Sequence, residues 1–107
     1  LAKQYAELEK ADQVDFYNGL EGYYSVLGHN KKQEAIAVLI EKNDHKIYVY
    51  QLDKGISQDK AATISREKGA SDIDKITFGR YQDKPIWEVK SGNQYYLVDF
   101  ETGAVIQ

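Results

Sequence analysis

The segment Gly55-Ile56-Ser57-Gln58-Asp59-Lys60-Ala61-Ala62-Thr63-Ile64-Ser65-Arg66-Glu67-Lys68-Gly69 is a helix with both ends written into it. Ser57 supplies an N-cap hydroxyl for a free N–H of the first turn, and Asp59 complements the positive end of the helix dipole. Ile56 and Ala61 stand where a hydrophobic staple sits. Ala61, Ala62 and Ile64 make the buried stripe, Arg66 and Lys68 suit the negative end, and Gly69 offers a left-handed C′ residue. On both sides of this segment the apolar period changes from helical to alternating, so a single helix is set between runs of strands.

Downstream, the alternation predicts strands over 73–78, 86–89, 95–100 and a short one over 104–106. Turns fall at Gln82-Asp83-Lys84, Ser91-Gly92-Asn93 and Thr102-Gly103. Upstream, Val14 with Phe16, Tyr24 with Val26, Ile36 with Val38 and Ile40, and Ile47 with Val49 mark four more strands. Their breaks lie at Asn18-Gly19 and Glu21-Gly22, at Gly28-His29-Asn30, and at Asn43-Asp44. Links this short make neighbouring strands antiparallel, since a parallel crossover needs about a dozen residues or more. Leu1, Tyr5 and Leu8, with Ala2, Ala6 and Ala11 beside them, predict a first helix over 1–11.

The fold class is therefore α+β, in two units of the same order, a helix followed by antiparallel strands. They span 1–53 and 54–107 and divide near Lys54. Gly22-Tyr23-Tyr24-Ser25-Val26 in the first corresponds to Pro85-Ile86-Trp87-Glu88-Val89 in the second. A unit of about fifty residues buries little core alone, so the two are expected to pack together.

Composition excludes several roles. Fourteen basic against seventeen acidic residues give a net charge of −3, which disfavours nonspecific binding to nucleic acid or anionic membrane. The absence of cysteine removes disulfides, thiol nucleophiles and thiolate metal sites. No run reaches the roughly 18 apolar residues that span a bilayer. Leu1 opens a helical pattern with no capping residue ahead of it, as expected of an excerpt from a longer chain.

No residues assemble a catalytic pattern. His29 and His45 lie in predicted polar turns outside any nucleophile-elbow or H-E-x-x-H context. With Glu41 or Asp44 they have no spacing for a closed metal site. Asp72 and Asp74 read as turn residues that bond local backbone, and Asp99 and Glu101 flank the last hairpin. No catalytic residue, cofactor or metal is assigned.

Tyrosine is the unusual element, nine in all, with pairs at Tyr23-Tyr24, Tyr48 and Tyr50, and Tyr95-Tyr96. Adjacent strand residues face opposite ways, so one of each adjacent pair is expected inside and one outside. Exposed tyrosines either bind a protein partner or pack across strands with no partner. With Tyr24, Val49 and Tyr96 taken as core-facing, the interface candidates are Tyr23, Tyr48, Tyr50, Tyr81 and Tyr95. A small ligand, were one bound, would be expected between the halves near Lys54 and the tyrosine pairs. Trp87 is expected in the core, on the helix.

Gly55-Ile56-Ser57 leading to Lys60-Ala61-Ala62, then Pro85-Ile86-Trp87-Glu88-Val89, then Tyr96-Leu97-Val98-Asp99-Phe100 with Thr102-Gly103-Ala104-Val105-Ile106, resembles the PepSY domain. That likeness covers about 55–106. Asp12-Gln13-Val14, Gly22-Tyr23-Tyr24-Ser25-Val26 and an apolar third strand extend it, and nearly the whole chain is similar to the TseB, or YpmB-like, family of Gram-positive cell-wall elongation regulators.

The resemblance implies two tandem cystatin-like units outside the cell, held by one N-terminal transmembrane helix that precedes Leu1. It also implies a non-enzymatic protein that contacts a penicillin-binding protein, the transpeptidase of the elongation machinery; from the charge balance no nucleic-acid partner is expected. PepSY domains elsewhere imply the alternative of a peptidase-inhibiting or chaperone-like module. The motif residues Ile56, Ser57, Ala61, Trp87, Asp99, Thr102 and Gly103 all have structural uses as cap, core and turn.

Overall fold

A computed structural model describes residues 8–19 and 21–106. Strands β1 (Leu8–Asn18), β2 (Gly22–Asn30), β3 (Ala35–Glu41) and β4 (Ile47–Gln51) form one antiparallel sheet in sequence order. A 3₁₀ turn at Leu52–Lys54 leads to helix α1 (Gln58–Glu67). A second antiparallel sheet follows, of β5 (Lys75–Tyr81), β6 (Lys84–Ser91) and β7 (Gln94–Asp99). The α+β class and the antiparallel pairing are as the sequence predicts.

Helix α1 closes at both ends by the devices read from its residues. Ser57 Oγ accepts from the Lys60 N–H at 3.0 Å. At the other end Gly69 has φ +114°, its N–H donates to the Arg66 carbonyl, and the Ala70 N–H donates to that of Ser65. That pair of bonds is a Schellman closure. The helix lies on β6 and β7, with Ala61 buried and Ile64 packed against the core. Trp87 is buried beneath it and donates from Nε1 to the Ile56 carbonyl at 3.0 Å. Asp99 Oδ1 accepts from the N–H groups of Glu101 and Thr102, and Asp74 Oδ2 from that of Gly92. Both carboxylates therefore serve turns.

Three expectations about secondary structure need correction. The predicted first helix does not reach Ala11: residues 8–11 are strand, while 1–7 lie outside the described residues. Leu8 pairs with Asn30 and is buried with Val26, Ile36 and Val38, so sheet pairing overrides a helical pattern that is only local. Gly28-His29-Asn30 is not a turn but the end of β2. A Cβ on Gly28 would lie 2.0 Å from the Lys10 carbonyl, so glycine is there to let the irregular stretch of β1 approach. The turn comes later, where Asn30 Oδ1 accepts from the N–H groups of Lys32 and Glu34. The last strand shrinks to one bridge, Val98 with Val105, after the Asp99-capped turn.

The main core belongs to both sheets. Tyr17, Tyr23, Leu27, Ala37 and Leu39 from the first pack with Phe78, Ile86, Trp87, Val98 and Phe100 of the second half. Phe78 is the aromatic hub, edge-on to Trp87 at 4.9 Å and to Phe100 at 5.2 Å, with Tyr50 at 5.6 Å. Each such pair contributes about 0.5–1.5 kcal/mol beyond area burial. Strand β5 crosses the first sheet at Gly79, where a Cβ would come 2.5 Å from the Tyr17 ring.

The opposite face of the first sheet is also apolar, in two cross-strand rows. Val14, Val26, Val38 and Val49 form one, and Phe16, Tyr24, Ile40 and Ile47 the other. Strand β3 is apolar on both sides, with Ile36 and Val38 on this face buried as fully as Ala37 and Leu39 on the other. This two-sided pattern explains the largest correction, the facing of the first-sheet aromatics.

Candidate functional site

Tyr24 and Val49, expected inside, are each 47% exposed, and Tyr23, expected outside, is 2% exposed. Tyr48 and Tyr50 share the inward face with Tyr23 and are half-buried against the core. Because alternate residues face alike, one inverted residue inverts them all. In the second sheet Tyr95 is 53% exposed and Tyr96 packs on the core, both in the expected sense, whereas Tyr81, expected outside, is half-buried against the core.

The inward tyrosines converge on Arg80 of β5, which sequence reading passed over. Its guanidinium lies 3.9 Å from the centroid of the Tyr48 ring, and its Nε donates to the Tyr50 hydroxyl at 3.1 Å. Another nitrogen lies 3.3 Å from Asp83 across the β5–β6 turn. Burial works against the Arg80 charge, yet hydrogen bonds with Tyr23 and Tyr50 outweigh it and raise the pKa. Tyr23 donates to Glu21 Oε2 at 3.1 Å, and burial above all raises its own pKa. Burial likewise pushes the Tyr17 hydroxyl up to about 12. Around Arg80, Glu21, Tyr23 and Asp83 is a cavity of about 100 Å³, room for about three waters. It lies between the halves, near the tyrosine pairs, and its donors are largely used internally, so the cluster acts as a polar clasp between the sheets.

Glu41, at the end of β3, borders this clasp. Its side chain is buried, with Oε1 lacking any hydrogen-bond partner, and its pKa is pushed up to about 7 by the hydrogen bond it shares with Glu21, by burial and by Asp44. Glu21 moves the opposite way, lowered by that same bond and by Tyr23. The two carboxyls thus shift in opposite directions, Glu41 holding its proton to higher pH.

Tyr95 stands apart. It lines an open groove of about 480 Å³ on the outer face of the second sheet, with Lys75, Lys90 and Glu88 beside it and Phe16 and Asn18 of β1 opposite. The structure thus gathers Tyr23, Tyr48 and Tyr50 around one arginine, places Tyr81 near Tyr17, and leaves Tyr95 on a separate surface. Glu21, Arg80 and Lys90 were missed because each is an ordinary surface residue type, and only the pairing of strands brings it to a site.

Two antiparallel sheets on a shared aromatic core, with a helix across the second, define an α+β protein. The Bacillus subtilis (strain 168) protein named "Probable cell wall elongation regulator TseB" is 37% identical over 114 residues, spanning 99% of this chain and 70% of that protein. The family described as "Cell wall elongation regulator TseB-like domain" matches residues 1–41. The solved structure of the YpmB protein from Bacillus subtilis superposes with a TM-score of 0.84 at 34% identity, covering 99% of this chain and 88% of that one. A Clostridium difficile 630 chain described as a lipoprotein, 13% identical, shares the fold alone, with a TM-score of 0.50 over 99% of this chain and 84% of its own. The chain belongs to the TseB-like family of cell wall elongation regulators.

Proposed function

We propose that this chain is the extracellular domain of a single-pass membrane protein that binds a penicillin-binding protein and regulates cell wall elongation by contact, without catalysis. Likeness along nearly its whole length to a protein named for that regulation carries the reading. The regulator class supports a contact role, and a tethered domain of this size would reach a transpeptidase close to the membrane. In this reading the chain comprises tandem cystatin-like units, 1–53 and 54–107. The second has its helix across its sheet as that fold requires.

The test is direct binding between the purified chain and the purified elongation transpeptidase, with a division-specific transpeptidase as control, joined to cell dimensions after gene removal. Selective, saturable binding and altered cell length or width are expected. Equal binding to both enzymes, or none, with unchanged cell shape would overturn the reading.

A further inference from the structure

Lys75, Lys90 and Tyr95 are consecutive cross-strand partners on β5, β6 and β7, so the two ammonium groups share one row of the outer face. Like charges placed directly opposite destabilise a sheet. Lys75 is relieved by Asp15 of β1, at 3.1 Å, but Lys90 has no ion pair among the described residues. The adjacent row holds Thr77 and Glu88. Burial raises the Glu88 pKa, and Lys75 partly opposes it. The row of Lys75, Lys90 and Tyr95 carries no carboxylate of its own, and Asp15 pairs with Lys75.

The rest of the groove suits an extended chain. Its far wall includes Phe16 and Asn18 of β1, which among the described residues pairs only with β2. Phe16 and Tyr95 are 40% and 53% exposed, giving apolar contact at the sides. The groove has a volume of about 480 Å³.

We infer that this groove binds an extended acidic peptide segment of the protein partner, its Asp or Glu carboxylate on Lys90 and its apolar neighbours against Tyr95 and Phe16. The inference rests on the partner-binding reading above and adds the surface and its chemistry. Among the described residues the Lys90 side chain has no ion pair to lose, so Lys90→Gln is expected to keep the fold and remove the charge.

The experiment is an NMR titration of the whole chain with the blocked peptide acetyl-Ala-Glu-Leu-Glu-Ala-amide, and with the same peptide carrying Gln for Glu. Saturable amide shifts at Phe16, Lys90 and Tyr95 are expected with the acidic peptide. Binding should be about tenfold weaker for the Gln peptide and for Lys90→Gln, the scale of one charged pair. Shifts elsewhere, equal affinity for both peptides, or no binding would overturn the groove. The transpeptidase assay separates the two ideas. Wild-type binding that Lys90→Gln and Tyr95→Ala leave unchanged removes the groove and keeps the proposed function. Peptide binding at the groove with no transpeptidase bound does the reverse.

Discussion

The two sheets solve the same burial problem by different means. The second carries its own cover: α1 lies across β6 and β7, and the cap, the Schellman closure and the tight turns that shape it are local to 55–106. The first borrows its cover, because its inward face is closed by β5 and the aromatic hub of the other half. A borrowed cover brings polar atoms inward, which is why tyrosine hydroxyls, Arg80 and two glutamates cluster at that junction. Local signals suffice where a region is closed by its own residues, and fail where the partner surface is distant in sequence.

If one core serves both sheets, Trp87→Ala should give the largest effect. Losing the ring and its bond to the Ile56 carbonyl is expected to cost about 3–5 kcal/mol. Both sheets should then melt together, with far-UV circular dichroism and tyrosine emission giving one urea transition. A separate transition for the first sheet would break the comparison at its root.

The contact between the sheets is narrowest at Gly79. Adding one methyl there meets the Tyr17 ring at 2.5 Å, so Gly79→Ala is expected to cost about 1–3 kcal/mol. In a Tyr17→Leu background, with the ring removed, the same change should cost clearly less. Equal costs in both backgrounds would mean that β5 does not bear on the first sheet at this point.

The clasp is expected to contribute less. Arg80→Lys keeps the charge but loses the planar stack on Tyr48 and the fixed bond to Tyr50, for about 1–2 kcal/mol. A double-mutant cycle with Tyr50→Phe measures the shared part, expected at about 0.5–1 kcal/mol. A coupling of zero would reduce the clasp to two independent surface residues.

How far sequence alone could go follows from the same division. Helix α1, both of its ends, the burial of Trp87 and the sense of Tyr95 and Tyr96 were all legible, because each depends on neighbours within a few residues or one strand away. The inward turn of Tyr23, Tyr48 and Tyr50 was not. With Val14, Val26, Val38 and Val49 on one face and Tyr17, Leu39 and Ala37 on the other, both faces are apolar, and alternation cannot say which one meets the second sheet. Lys90 was illegible for another reason: a lone lysine becomes unusual only when pairing sets it opposite Lys75.

The prediction most specific to the borrowed cover is a pH dependence centred on Glu41. Its pKa is raised from an ordinary 4.5 to about 7, so the folded chain holds this proton more tightly than the unfolded one. The stabilisation is therefore complete below about pH 4.5 and lost as pH climbs through about 7. Glu21, lowered by the bond to Glu41 and then by Tyr23, works in the opposite sense: its contribution is present above its ordinary value and lost as pH falls below that. Glu41→Gln copies the protonated form and should abolish the decline between pH 4.5 and 7 while leaving the acid limb that belongs to Glu21. Urea midpoints recorded at several pH values for both chains check this. The wild-type midpoint should fall relative to Glu41→Gln across that window, whereas parallel curves would show that Glu41 titrates as a free surface carboxyl. In that case the polar clasp would reduce to Arg80 and its tyrosines.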